Sequence, residues 1–295
     1  MELERCVKLS PFTSIKVGGV AKYFSSPKNV EEIKELIGFC RDKDMPLLVL
    51  GGGSNTIPGD IEGLVLNLSR LRGVRVRREG ETYLVKTLAG TPLRYITGFA
   101  VRENLAGIYR LAGFPATVGG AVAMNAGAFG VEIKDFLEEV SYVSWEGELV
   151  STRKAADLLS YRSSPFPKRG IVVSCTFRLR RSPSPVVEDY RRVREIRRNT
   201  QPIGALTSGS TFKNPLPFYA GKLLESVGLK GFRIGDLLFS TKHANFLINR
   251  GKATYGDVEK IIEEAKRRVF EEFGILLEEE VRLVEGSGFD GWKVL

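Results

Sequence analysis

Histidine is nearly absent from this chain: His243 is the only one among 295 residues. A His-rich metal site is therefore excluded, no metal is expected, and a Ser–His pair has one candidate base. Cysteine is almost as scarce. Cys6, Cys40 and Cys175 are scattered and stand in no metal-binding or redox spacing. Such an odd, sparse set fits a reducing compartment, with Cys40 and Cys175 expected as buried thiols. Gln201 is the only glutamine, whereas Glu, Lys and Arg are plentiful, a bias that resembles thermophile composition. No apolar run reaches the ~18 residues of a membrane span. The opening MELERCVKLSPF carries charges and lacks the apolar centre of a secretory signal. These absences predict a soluble, cytoplasmic protein without a membrane partner.

What the chain does contain is enough apolar material for real cores. The hydrophobic fraction is 43%, which argues against disorder, and the length fits two or three domains. The formal net charge of +9 suits nucleic acid or anionic metabolites. The densest basic run, RRVREIRRN (Arg191–Asn199), has helical spacing and no aromatic platform or recognition motif beside it. It reads as a solvated helix face, and no nucleic-acid partner is expected.

The pattern VEEIKELIGFCRDKDM places Ile33, Leu36, Ile37 and Cys40 on one helical face. PLLVLGGGSN reads as a buried strand running into a glycine turn, and GLVLNL (Gly63–Leu68) as the next strand, together a β–α–β unit. GVRVRREGETYLVKTLAG (Gly73–Gly90) alternates on both arms around EGE and predicts a hairpin. TPLRYITGFAVREN predicts a helix; VSYVSWEGELV and GIVVSCTFRLR predict strands. SPSPVVED (Ser182–Asp189) reads as a linker opening a helix. Beyond it come a basic helix, a loop at TQPIGALTSGSTFKNP, a helix at AGKLLESVG and a strand at ANFLINR. A long amphipathic helix, YGDVEKIIEEAKRRVFEEFG, and a strand, EEEVRLV, follow. The expected fold mixes α+β and α/β units, with boundaries near residues 68 and 182.

Several short stretches carry chemistry. In LGGGSN (Leu50–Asn55) three glycines follow a strand, and Ser54 and Asn55 add side-chain donors, which makes either a phosphate-cradling nest or a tight turn. It lacks the ending of a Walker loop and does not open a helix as GxGxxG. GFPATVGGAVAMNAGAFG (Gly113–Gly130) has no charge, and glycine and alanine fill ten of its eighteen places. A flat or extended ligand could lie against such a main chain; close packing of strand and helix is the alternative. YRSS (Tyr161–Ser164) offers an arginine able to grip a carboxylate with a bidentate fork, or simply an exposed one. In SGSTFKNP (Ser208–Pro215), Ser210 stands between small residues, free to point into a cleft, and Lys213 and Asn214 suit a phosphate. In LEEEVRLV (Leu277–Val284), Glu280 is expected inside a strand with Arg282 on the same face. A carboxyl held in a cleft has a raised pKa and can stay protonated.

Together and in this order, IKVGG (Ile15–Gly19), LGGGSN, GFPATVGGAVAMNAGAFG, YRSS, SGSTFKNP, KHANFLIN (Lys242–Asn249) and EEEVRLVEG resemble the UDP-N-acetylenolpyruvoylglucosamine reductase family. The resemblance covers the chain from about Thr13 to Gly286. Ala116 stands where the family usually has glycine. TIPGD follows LGGGSN where an aliphatic pair is common, so Pro58 is expected to reshape the turn beside the cofactor's pyrophosphate. The short path from Tyr161-Arg162 to Gln201-Pro202 points to the subtype without the family's extra tyrosine loop.

The resemblance implies a two-part FAD-binding region of the vanillyl-alcohol-oxidase type, residues 1–68 and 69–182, and a C-terminal α/β substrate-binding domain, 183–295. It implies non-covalent FAD against Gly51, Gly52, Gly53, Ser54 and Asn55 of the first turn. Pro115, Thr117, Gly119, Gly120, Asn125 and Gly127 would complete the cradle. Ser210 would donate a proton, Arg162 and Glu280 would hold the substrate carboxylate, and Tyr161, Asn214 and Lys213 would contact the substrate. The implied reaction takes electrons from NADPH and reduces an enol ether on a UDP-sugar, a step of bacterial peptidoglycan precursor synthesis that serves cell shape and division. An oxidase or dehydrogenase of the same cofactor fold is the alternative, but it has no reason to keep SGSTFKNP or Glu280. His243, within KHANFLIN, is expected neither as a flavin link nor as a catalyst.

Overall fold

The computed structural model describes residues 2–286. The N-terminal part of the chain forms β1 (Glu4–Lys8), β2 (Val20–Ser25), helix α1 (Val30–Asp42), β3 (Leu47–Leu50) and β4 (Thr56–Asn67). Asn29 caps α1 by accepting from the Glu32 N–H, and the helix buries Ile33, Leu36, Ile37 and Cys40, the face that the 3.6-residue period dictates. β1 runs antiparallel to β2, while β2 and β3 run parallel to β4. β4 starts earlier than the sequence pattern suggests. Pro58 is buried inside it, opposite Val284, and accepts the Gly19 N–H on its carbonyl at 3.0 Å. The expectation that Pro58 shapes a turn is therefore corrected.

The middle of the chain adds β5 (Val74–Glu79), β6 (Thr82–Leu88), α2 (Arg94–Arg102), α3 (Val118–Ala123), β7 (Gly127–Ala128) and β8 (Val131–Glu132). β9 (Leu137–Ser144), β10 (Leu149–Arg153), α4 (Phe166–Arg169) and β11 (Gly170–Arg180) follow. Five of these strands make an antiparallel sheet in the order β10-β9-β11-β6-β5. Its apolar face shares one core with α1 and β3, in which Ile33, Leu64, Val85 and Phe177 are fully buried. The glycine-rich stretch contains α3, which composition alone does not reveal. Cys40 and Cys175 are buried thiols, and burial pushes Cys40 up to about 12.

After α5 (Val187–Thr200) come α6 (Ala220–Ser226), β12 (Arg233–Ile234), β13 (Leu237–Phe239), β14 (Leu247–Asn249), α7 (Tyr255–Phe273) and β15 (Arg282–Gly286). Tyr109 and Arg110 fasten α5 to the middle of the chain at Asp189, at 2.8 and 2.9 Å. Thr254 and Asp257 form a capping box on α7, which ends at Gly274 in the left-handed region. α7 buries Val258, Ile261, Ile262, Ala265 and Val269; each large aliphatic among them contributes about 1.5–3 kcal/mol. Ile15, Val17 and Ile57 pack into this same C-terminal core. β15 crosses back as well, running parallel to the first half of β4, whose second half pairs with β3. Among the described residues no helix is long and apolar enough to cross a membrane.

Candidate active site

A cleft of about 640 Å³ opens where the three parts of the chain meet, a size typical of small-molecule sites. One wall is Gly51–Asn55, between β3 and β4; the next is the turn into α3 at Pro115 and Thr117, with Gly119, Gly120 and Gly127 beyond. Arg162, Ser210 and Glu280 also line it.

The glycines are bare first because the walls interlock. Gly53 sits at φ 59, and a Cβ there would lie 2.0 Å from the Phe12 carbonyl oxygen. A Cβ on Gly51 would meet Thr117 Oγ1 at 2.3 Å, and one on Gly119 would meet Ala89 Cβ at 2.7 Å. Close packing against the Phe12 backbone and the short side chains of Thr117 and Ala89 thus accounts for these three positions, and it leaves a cleft wall of main chain and small side chains. An extended dinucleotide needs a long groove of that kind and positive charge for its diphosphate. Arg197 and Arg282 on the lining supply that charge, so the residues present fit FAD.

Arg162 projects from a two-residue turn closed by Ser160 and Ser163, whose N–H groups each donate to the other's carbonyl at 3.1 Å. It occupies φ 52. Its Nε donates to Glu280 Oε1 at 2.7 Å and its Nη2 to the Gly127 carbonyl at 2.8 Å; both side chains of the pair are 17% exposed. Burial pushes the Glu280 carboxyl above the usual carboxylate range, against the pull of Arg162. Glu280 lies just before β15 and not inside a strand, a correction to the reading of EEEVRLV. Asn55 fixes its backbone: Asn55 Nδ2 donates to the Glu280 carbonyl at 2.9 Å, and the Asn55 carbonyl accepts from the Arg282 N–H at 2.8 Å.

The Glu280 N–H donates to the carbonyl of Thr211 at 2.8 Å, which sets Glu280 beside the segment carrying Ser210. Asn245 pins that segment, accepting from the Phe212 N–H at 2.9 Å and donating to its carbonyl at 2.8 Å. Three side chains from distant parts of the sequence are thereby held around one cleft.

The other residues expected as contacts, Thr117 excepted, lie outside the cleft lining. Asn125 does not line the cleft; it is fully buried, and its amide bonds Ser160, Glu132 and Lys134. Thr117 Oγ1 accepts from the Gly120 N–H as the cap of α3. Tyr161 is 48% exposed, with Arg162 Cζ 5.1 Å from its ring centre. Lys213 pairs with Glu278, and Asn214 Oδ1 accepts from the Ala220 N–H at 3.0 Å, steadying α6. His243 packs against Phe246 at 4.9 Å and accepts from the Asn245 N–H at 3.3 Å. Partial burial lowers its pKa, since desolvation disfavours the charged imidazolium.

Arg197 is the contributor that the basic run concealed. It is 5% exposed, with Cζ 4.7 Å from the Phe114 ring centre and 5.1 Å from that of Phe129. Nη1 donates to Gln201 at 3.1 Å, while Nε and Nη2 are buried without a hydrogen-bond partner among the described residues. The reading of Arg191–Asn199 as a solvated face fails here. The available signal was Val193, four residues earlier on the buried stripe of α5, which places a charge on an apolar face.

Residues 201–284 match the family model described as UDP-N-acetylenolpyruvoylglucosamine reductase, C-terminal domain, and residues 21–153 match that of an FAD binding domain. The chain is 52% identical over 289 residues to the UDP-N-acetylenolpyruvoylglucosamine reductase of Aquifex aeolicus, covering 98% of this chain and 97% of that one. It is 40% identical to the enzyme of that name from Lachnoclostridium phytofermentans, covering 94% and 91%. The crystal structure of the UDP-N-acetylenolpyruvylglucosamine reductase from Thermus caldophilus superposes with a TM-score of 0.80 at 32% identity, covering 96% and 99%. The chain belongs to the UDP-N-acetylenolpyruvoylglucosamine reductase family, a family of FAD-binding oxidoreductases.

Proposed function

We propose that this enzyme reduces UDP-N-acetylenolpyruvoylglucosamine to UDP-N-acetylmuramate with NADPH, using non-covalent FAD, as a cytoplasmic step of bacterial peptidoglycan precursor synthesis. The observation that carries the reading is the convergence of Arg162, Glu280 and Ser210 on one cleft. When bound, FAD supplies the two-electron transfer that links NADPH to the vinyl carbon of the enol ether.

The chain's residues handle the charge and the proton that this transfer creates. As the vinyl carbon is reduced, negative charge builds on the α-carbon and its carboxylate. Arg162, held in place by Gly127 and Glu280, offers fixed positive charge there, and a preorganised donor requires no reorganisation at the moment of reaction. Glu280 Oε1 accepts from Arg162; with a proton on Oε2, the same carboxyl can donate to the substrate carboxylate without repelling it. Ser210 Oγ donates the proton to the α-carbon. A hydroxyl is a weak acid, but the developing carbanion is a strong base, and solvent restores the proton.

The test is a visible spectrum of the purified protein, followed by anaerobic NADPH and then the enolpyruvyl sugar nucleotide. Flavin bands that bleach with NADPH and return with the sugar nucleotide support cofactor, donor and acceptor together. Recovery with oxygen alone favours an oxidase. A protein that stays colourless after FAD is added overturns the reading.

A further inference from the structure

Arg162 stands at the tip of a turn whose conformation its own residues do not favour. The φ of 52 at Arg162 belongs to a region that suits glycine at such a place. The two hydrogen bonds between Ser160 and Ser163 close the turn but do not fix its direction relative to the cleft. That direction depends on a contact from outside. Asn125 Nδ2 donates to the carbonyl oxygen of Ser160 at 2.8 Å, the same oxygen that receives the Ser163 N–H.

Asn125 is itself tightly constrained. Its Nδ2 also donates to Glu132 Oε2 at 3.0 Å, and its Oδ1 accepts from the Lys134 N–H at 3.1 Å. It sits at φ 42 with no exposed surface, and among non-glycine residues asparagine is one of the few suited to that backbone. The segment it organises also carries Gly127, whose carbonyl receives Arg162 Nη2 at 2.8 Å. A Cβ on Gly127 would lie 2.8 Å from Glu132 Cγ and 3.1 Å from Arg162 Nη1. One buried amide thus governs both the base from which Arg162 springs and the carbonyl that receives its guanidinium.

We propose that Asn125 is a positioning residue for Arg162, acting through the carbonyl of Ser160, and not a contact to the cofactor. The inference rests on Arg162 being the residue that holds the substrate carboxylate. Asn125→Asp keeps the size and the acceptor but removes the donor to Ser160 and to Glu132; Asn125→Ser keeps a short donor and adds no charge.

The experiment loads each variant with FAD and follows the two anaerobic half-reactions separately. Asn125→Asp is expected to retain flavin and bleach with NADPH at the wild-type rate. Its recolouring by the sugar nucleotide should slow by about 10²-fold, the order of loss from a misplaced group. Asn125→Ser should recover part of that rate. In an Arg162→Ala background, adding Asn125→Asp should slow recolouring no further. Loss of flavin from Asn125→Asp and Asn125→Ser alike overturns the proposal, as does a second, additive slowing in the Arg162→Ala background. A wild-type protein that bleaches but never recolours with the sugar nucleotide defeats instead the functional reading beneath it.

Discussion

Arg162 and Glu280, 118 positions apart in the chain, meet with Nε 2.7 Å from Oε1. The pair joins a turn before β11 to the segment before β15, and it sets up a pH dependence. Burial holds the Glu280 proton to higher pH than an ordinary carboxylate does. Recolouring by the sugar nucleotide should therefore be fast at low pH and fall as pH rises through the Glu280 value. Glu280→Gln, which keeps a donor but cannot ionise, should lose that limb. Stability follows the same sign: the contribution of Glu280 is complete below its unfolded value and lost as pH rises through the folded one. Stopped-flow traces across pH for both proteins check the first claim, and an unchanged limb in E280Q would sink it.

Ser210→Ala separates electron uptake from proton delivery. The variant should bind FAD and bleach with NADPH like the wild type, because nothing in that half-reaction needs the hydroxyl. Recolouring should slow by ~10²–10⁴-fold, the usual loss on removing a general acid. Near wild-type turnover in S210A would remove Ser210 from the role.

Arg197 carries a buried edge, Nε and Nη2, with no hydrogen-bond partner among the described residues, and burial disfavours its charged form. A desolvated ion left unpaired opposes folding. Arg197→Met fits the space between Phe114 and Phe129 without that charge and is expected to raise the melting temperature of the ligand-free protein. A calorimetric scan showing a lower melting temperature would mean that the two aromatic faces outweigh the desolvation.

Two glycines should respond in opposite ways to one added methyl group. Gly38 lies in α1, and a Cβ there meets nothing within 4 Å. Gly38→Ala should stabilise by about 0.5–1 kcal/mol. Gly119 lies in α3 with Ala89 Cβ 2.7 Å from the added atom, so Gly119→Ala should destabilise by about 1–3 kcal/mol. Urea unfolding of the two variants checks both, and equal midpoints would refute the packing argument.

Periodicity made the long elements legible. α1, α7 and the hairpin of β5 and β6 follow from where apolar residues recur, since one face of each must be buried. Short or non-local features were hidden. α3 is six residues of small side chains, too short and too uniform to show a period. β15 pairs with β4, a partner more than 200 positions away that no local pattern encodes. Among the site residues, the local pattern left Arg162 open to being an exposed arginine and Glu280 one of three adjacent acids; the roles of Ser210, Arg162 and Glu280 came from the family resemblance. Asn125 was read as a ligand contact because a polar residue in a bare stretch looks the same whether it faces a cofactor or a buried carbonyl. Asn245 and Arg197 were passed over for the converse reason, each lying in a run whose bland explanation was sufficient.

The return of β15 to β4 also bears on how the protein is made. Chains emerge from the ribosome N-terminus first, so both glycine-rich walls leave it long before Glu280 and Arg282. Until those residues arrive, Asn55 has no Glu280 carbonyl to grip, and the first half of β4 has an open edge, a ready template for pairing with another chain. A product released early, short of residue 280, would keep the walls of the cleft but lack the carboxyl that faces Arg162. The pairing of Arg162 with Glu280 is thus completed late in synthesis, and the strand that follows Glu280 also covers the edge of the first half of β4.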